Sequence, residues 1–303
     1  MTTNTPTADS ASMASVDIAQ VAVKSRSYWA TVLQRLREDP VTLVFGGLLL
    51  LIILSAVFAD VIAPYDPAKA SMIKRLKGIG YPGHILGTDE TGRDMLSRLL
   101  YGGRLSLFMG IAPVFNALII GGTLGIFAGF VGGRVSMIIM RSMDVFYAFP
   151  SVLLAIAISG ALGAGIENAV LSLTIVFIPP IARIAESVTT QVRTLDYVEA
   201  ARASGASTFT IIRVHVLANV LGPIFIYATS LISVSIILAS GLSFLGLGVR
   251  PPEAEWGLML NTLRQAIYIN PYLAALPGVM IFLTSLSFNL LSDGLRSAMD
   301  IRL

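Results

Sequence analysis

An all-α polytopic membrane protein with six transmembrane helices is the fold this sequence predicts, and three observations predict it. Of 303 residues, 55% are hydrophobic and only 13% charged, with a mean hydropathy of +0.78; an ordinary soluble domain is about a quarter charged. The apolar residues gather into six uncharged stretches near the ~20 residues a helix needs to cross the hydrocarbon core. Between two of them lies a polar segment, Asp196 to Asn219, that has no place in a bilayer. The formal charge of +3 is too small to argue for nucleic acid, and the absence of cysteine excludes disulfides, lipobox lipidation and thiolate metal sites.

Residues 1–17, rich in Thr, Ser and Ala, read as a disordered tail. From 21 to 38, Lys24, Arg26, Arg35 and Arg37 interleave with Tyr28, Trp29, Val32, Leu33 and Leu36, which suits an amphipathic helix on the membrane surface. Residues 1–40 thus form a cytoplasmic segment that Pro40 closes. The first span is 41–63, with Asp60 its only charge. It is too long and starts too late for a cleaved signal, although Val57-Phe58-Ala59 resembles a cleavage site. Residues 64–101 form an extracytoplasmic loop with an amphipathic helix. Residues 102–293 carry five more spans: within Leu105–Gly133, within Met137–Gly160, about Asn168–Ala182 with Pro179-Pro180 inside it, within His215–Ser240, and about Tyr272–Ser292. Residues 294–303 are a cytoplasmic tail. Six spans put both termini on one side. With that side cytoplasmic, twelve of the 21 Lys and Arg residues lie inside, a small majority for the positive-inside rule.

Asp196 to Ser204 has helix-forming composition, and Gly205 is a natural C-terminal stop because it tolerates a left-handed backbone. Ser207 or Thr208 can cap a second helix bearing Phe209, Ile211, Ile212, Val214 and Val216, which leads into the fifth span. Two helices with a glycine elbow can sit in a cleft of another protein. The alternative is a hairpin that merely links two spans.

No enzyme constellation is visible. His84 and His215 fall on opposite sides of the membrane and cannot form one metal site, and neither sits mid-span beside a nucleophile. None of Lys24, Lys69, Lys74 and Lys77 follows glycine, so no Walker A loop exists and the chain binds no ATP itself. Arg141 and Asp144 are spaced to pair on one helix. Asn116 and Asn289 can bond across helices or line a pore. Glycines between 121 and 133 allow close helix packing, and Pro113, Pro150, Pro179, Pro180, Pro223 and Pro277 mark kinks. In the outer loop, Thr88 or Asp89 can cap a helix with Met95, Leu96, Leu99 and Leu100 on its apolar stripe. Arg93, Asp94 and Arg98 would then form a solvated face with local ion pairs.

Glu199-Ala200-Ala201, with Gly205 four residues after Ala201, resembles the EAA loop of ABC importer permeases. The block His215-Val216-Leu217-Ala218-Asn219 resembles the HILPN form seen in peptide permeases; Ala218 stands where proline is usual, which leaves the kink before the fifth span open. The stretch His84-Ile85-Leu86-Gly87-Thr88-Asp89-Glu90-Thr91-Gly92-Arg93-Asp94, then MLSRLLYGGRLSL, resembles a signature of the peptide/nickel permease family, in its C-type branch. So do MDVFYAFPSVLLA, GLSFLGLGVRPPEAEWG and FNLLSDGLRSAMDIRL. The resemblance runs from about residue 25 to the C-terminus. It implies a type I ABC importer permease in a prokaryotic inner membrane, itself non-catalytic. It would pair with a homologous permease, two P-loop ATPases that use ATP and Mg, and an extracytoplasmic binding protein. Asp196, Glu199, Ala200, Ala201, Arg202, Gly205 and His215 would belong to an ATPase-coupling loop within 183–216. His84, Gly87, Thr88, Asp89, Gly92, Arg93 and Asp94 would form an outer family motif, either structural or in contact with the partner permease or binding protein. Di- or oligopeptides are the implied cargo, with nickel chelates, glutathione and peptide antibiotics as alternatives. A stand-alone ion-coupled transporter is the rival of another class. It would need intramembrane carboxylates and an internal repeat; only Asp144 lies well inside a span, and no repeat is evident.

Overall fold

Asp39 and Pro40 decide where the first membrane helix begins. The Asp39 carboxylate accepts the Val41 N–H at 3.1 Å and the Thr42 hydroxyl, and Pro40 takes the first helical position, where a missing N–H costs nothing. In this computed structural model, which describes residues 28–299, helix α1 (Tyr28–Glu38) therefore ends where α2 (Pro40–Val57) starts. The tail at 1–17, the first part of the surface helix at 21–27 and residues 300–303 lie outside the described residues.

The rest of the described chain is helical apart from loops and two isolated bridges. Helix α3 (Met95–Val131) has 37 residues, about 55 Å at 1.5 Å per residue. α4 (Gly133–Tyr147) and α5 (Ser151–Leu162) meet at 84°. α6 (Ile166–Arg193), α7 (Asp196–Ala203), α8 (Thr208–Phe244), α9 (Trp256–Thr262) and α10 (Pro271–Met299) follow. Two expectations change in detail. The third span is two helices rather than one, because Pro150 cannot continue α4 and pushes Phe149 out of helical geometry. The fourth is not short: α6 runs through Pro179-Pro180 and past Arg183 and Glu186 to Arg193.

Glycine sets how the spans pack. A Cβ at Gly121, Gly125 or Gly129 of α3 would lie 2.6, 2.2 or 2.6 Å from the carbonyl oxygens of Ile178, Ala182 and Glu186 on α6. The two backbones touch, as small residues four apart allow. The partner numbers rise together, so α3 and α6 run parallel. The chain between them must cross back, which makes the bent α4–α5 pair one crossing and gives six among the described residues. The other neighbours are antiparallel: Gly110 of α3 faces Ile236 of α8, Thr229 of α8 meets Ser292 of α10, and Gly294 of α10 packs on Thr42 of α2. α1, the elbow after α6 and the end of α10 therefore share one face. The loops 64–94 and 245–270 share the other. Gly125→Val is expected to lower the melting temperature in detergent by more than ~10 °C, since overpacking here meets backbone rather than a side chain that can turn aside. Gly47→Val, where nothing lies within 4 Å, serves as the control and is expected to leave it unchanged.

Candidate functional site

The polar segment after α6 folds into a capped elbow. α7 ends with the Gly205 N–H donating to the Arg202 carbonyl at 3.1 Å and the Ala206 N–H to the Ala201 carbonyl at 3.1 Å. Gly205 has φ +78°, and the pattern is a Schellman motif, which occupies carbonyls that a helix end leaves open. Two residues on, the Ser207 hydroxyl accepts the Thr210 N–H at 3.2 Å and caps α8. The first turns of α8 contain a π turn, Ile211–Val216, and the Asn219 side-chain amide donates to the His215 carbonyl at 2.7 Å. The sequence left a kink open at this point because Ala218 replaces proline. The structure has a widened turn there instead, a feature frequent at functional sites.

One residue anchors the elbow. Val198 is fully buried, the only such residue in α7, and belongs to the main core with Ile211, Val216 and Val220. In sequence Val198 counts only toward the helix-forming composition of DYVEAARA, and nothing local marks it as an anchor. Asp196, Glu199, Ala200, Arg202 and Gly205 are exposed, Ala201 and His215 half-buried, and the His215 ring lies 6.2 Å from that of Tyr197. Leu195, Tyr197, Phe209 and Val214 are exposed apolar side chains around them. An apolar patch rimmed by charge marks an interaction surface.

On the opposite face the outer motif is a buried knot, which overturns the expected solvated face. Arg93, Asp94 and Arg98 are 8%, 2% and 2% exposed. Asp89 accepts the Thr91 and Arg93 N–H groups, both at 2.9 Å, and its other oxygen lies 2.6 Å from Arg93 Nε and 3.2 Å from Arg98 Nε. Asp94, rather than Thr88 or Asp89, caps α3: one oxygen accepts the Ser97 N–H at 2.8 Å and the Ser97 hydroxyl at 2.7 Å, and the other pairs with His84 Nδ1 at 2.9 Å. The amphipathic segment expected in this loop is the first turns of α3 itself. Thr88 accepts the Lys77 N–H at 3.0 Å and donates to the Lys74 carbonyl. Gly87 and Gly92 have positive φ, and a Cβ on either would strike the carbonyl of Lys77 or Ser71 at 2.2 and 1.9 Å. Arg98 donates to the carbonyls of Pro67 at 3.2 Å, Pro252 at 3.4 Å and Glu253 at 3.1 Å. The charges are buried because each finds a carboxylate or a carbonyl, the condition on which burial is tolerated.

Glu255 extends this network. It is 1% exposed, accepts the Gly257 and Leu258 N–H groups at 2.8 Å and the Ser106 hydroxyl at 3.1 Å, and caps α9. The adjacent Trp256 indole donates to the Leu99 carbonyl at 2.9 Å. Burial pushes the Glu255 carboxyl above the ordinary range. A raised folded pKa means the folded state binds more protons, so this group's contribution to stability is greatest at acid pH and is lost as pH rises through its folded pKa. The difference in melting temperature between wild type and Glu255→Gln, scanned from pH 4 to 8, is therefore expected to move in favour of the variant as pH rises.

Two membrane-depth expectations also change. Asp144 lies 3.7 Å from Arg141, as its spacing implied, but it also bonds Arg183, which ties α4 to α6. Asn116 and Asn289 are exposed and make no hydrogen bond across helices among the described residues. No group of three His, Asp or Glu side chains suited to a metal occurs among the described residues either.

Residues 121–303 match the family model described as binding-protein-dependent transport system inner membrane component, and residues 27–78 match the N-terminal TM domain of oligopeptide transport permease C. The chain is 44% identical over 281 residues to the glutathione transport system permease protein GsiD of Salmonella typhimurium, covering 93% of this chain and 91% of that one. It is 41% identical over 275 residues to GsiD of Escherichia coli O1:K1, covering 91% of each. Among solved structures, a chain of the MetNI methionine ABC transporter in an inward-facing conformation superposes with a TM-score of 0.57 at 19% identity, covering 67% of this chain and 97% of that chain. That likeness speaks for the fold.

Proposed function

Since the chain belongs to the family of binding-protein-dependent transport system inner membrane components, and is a non-catalytic permease subunit of an ABC importer, we propose that its cargo is short peptides, glutathione (a tripeptide) among them. The observation that carries this reading is the 44% identity over 281 residues to permeases named for glutathione transport, a match that spans both the elbow and the outer knot.

The elbow at 183–216 is then the coupling element. Its face is cytoplasmic, both termini lie inside, and Glu199, Ala200 and Ala201 enter a cleft on one of two P-loop ATPases, with Asp196 and Arg202 as rim charges. ATP and Mg are used there, outside this chain. The exposed Leu195, Tyr197, Phe209 and Val214 supply apolar contact area around the charges. Push from the ATPase reaches the membrane through Val198 and the backbone-bonded turn at Gly205, because α6 and α8 leave the elbow as continuous helices. A homologous permease completes the path, and an extracytoplasmic binding protein delivers cargo to the opposite face, where the knot holds the loops in one shape. Such a cycle needs two pore states with different contacts to the ATPases.

The test is ATP hydrolysis by the complex, purified with its neighbouring permease and ATPases in nanodiscs, with binding protein and dialanine, glutathione or a nickel–histidine chelate. Stimulation by dialanine or glutathione is the expected result. Stimulation by the chelate alone overturns the cargo, and failure of any ATPase to co-purify overturns the assembly.

A further inference from the structure

Near the middle of α3, Asn116 is exposed and makes no hydrogen bond among the described residues, although it lies at membrane depth. An unsatisfied amide facing lipid is expensive, so such a side chain faces water, a polar ligand or a helix of another subunit. It opens into a groove of about 530 Å³ between α3 and α6, whose walls include Phe108, Ile166 and Leu171. Among the described residues only two other polar side chains line this groove. Thr174 uses its hydroxyl hydrogen on the Val170 carbonyl at 2.7 Å, which leaves its oxygen as an acceptor. Glu167, in the first turn of α6, is exposed and has no ion pair among the described residues.

We propose that this groove is a substrate subsite for an ammonium-terminated di- or tripeptide, with Glu167 receiving the ammonium group and Asn116 a peptide unit of the cargo. The inference rests on the short-peptide reading above. Charge selects the end that enters beside Glu167: among the described residues the groove carries one carboxylate and no cation. Geometry sets the length. The parallel register that matches Gly121 with Ile178 and Gly125 with Ala182, continued toward the loop-bearing face, places Asn116 level with Leu173. That is about 9 Å along the axis from Glu167 at 1.5 Å per residue. An extended peptide covers about 9 Å in two to three residues. An amide offers both a donor and an acceptor to a peptide unit, so Asn116 reads backbone rather than side chain, which suits cargo of varied sequence.

The chain has no cysteine, so a single introduced thiol, read on this subunit's own band after the complex is separated, reports on one position. In the full complex, Asn116→Cys is expected to react with a charged, membrane-impermeant maleimide at least ~10-fold faster than Leu51→Cys on the exposed apolar face of α2, and dialanine with binding protein is expected to slow it. In proteoliposomes, Glu167→Gln is expected to reduce dialanine uptake five- to tenfold, with partial recovery in Glu167→Asp. Asn116→Cys reacting as slowly as Leu51→Cys would overturn the subsite, as would Glu167→Gln carrying dialanine at the wild-type rate while the wild type transports it; in both cases the peptide reading stands. If the wild type itself carries neither dialanine nor glutathione, the peptide reading falls and takes the subsite with it.

Discussion

Replacing Gly205 by proline is expected to abolish cargo-stimulated ATP hydrolysis in the assembled transporter while the spans still insert. Nothing lies within 4 Å of where a Cβ would stand at this position, so crowding is not the reason. The reason is the backbone. Gly205 sits at φ +78°, which proline cannot adopt, and its N–H bonds Arg202, which proline lacks. Losing that turn releases α7 from α8 and frees the Ala201 and Arg202 carbonyls. The series should be graded by backbone preference rather than by size. Gly205→Asn, which enters the left-handed region readily, should keep most of the stimulation. Gly205→Ala should lose part of it, with a local penalty of about 1 kcal/mol. Gly205→Val should approach proline. Stimulated hydrolysis and co-purification of the ATPases are the two readouts. Equal activity across the series would show that the elbow transmits nothing.

Asp89→Ala is expected to be the most destabilising single change among the buried charges of loop 64–94. It removes the carboxylate between Arg93 and Arg98, which are 8% and 2% exposed, and leaves Arg93 with Glu90 at 2.8 Å and the buried Arg98 with backbone carbonyls alone. Breaking a buried pair from one side is worth up to about 3–5 kcal/mol where the surviving charge is uncompensated, and here the charge that loses its carboxylate is Arg98. The chain should accumulate poorly, or melt more than ~10 °C lower in detergent. Asp60→Ala, which removes an exposed partner of Arg104, should change little, as surface pairs do. Similar melting curves for the two variants would mean that the knot is ornament rather than support.

Hydropathy made the number of crossings legible, and Gly205 and Ser207 made the elbow legible, because both are local signals. What the sequence concealed was long-range. The charges at Arg183 and Glu186 cut the fourth apolar stretch short. In the folded chain Asp144 answers the first and the Ser136 hydroxyl the second, at 3.0 Å, and the helix continues. The outer motif reads as solvated because it is charged, yet the Arg98 guanidinium donates to carbonyls 154 and 155 residues away, which no local pattern encodes. The bend at Pro150 was visible as a proline, but only the parallel contact of α3 with α6 shows that the broken pair is a crossing. Val198 was invisible as an anchor because one valine among polar neighbours has no periodicity.

The reach of Arg98 also orders the birth of the protein. When Arg98 leaves the ribosome, the carbonyls of Pro252 and Glu253 do not yet exist. At ~5–20 residues per second, the 154 residues between take roughly 8 to 30 s to synthesise. Throughout that interval Asp89 and the Pro67 carbonyl are the partners available to the arginine, and the five crossings that precede Pro252 are synthesised before the loop that locks them arrives. Final closure of the face that carries loops 64–94 and 245–270 is thus a late act of translation, a checkpoint that only a nearly finished chain can pass.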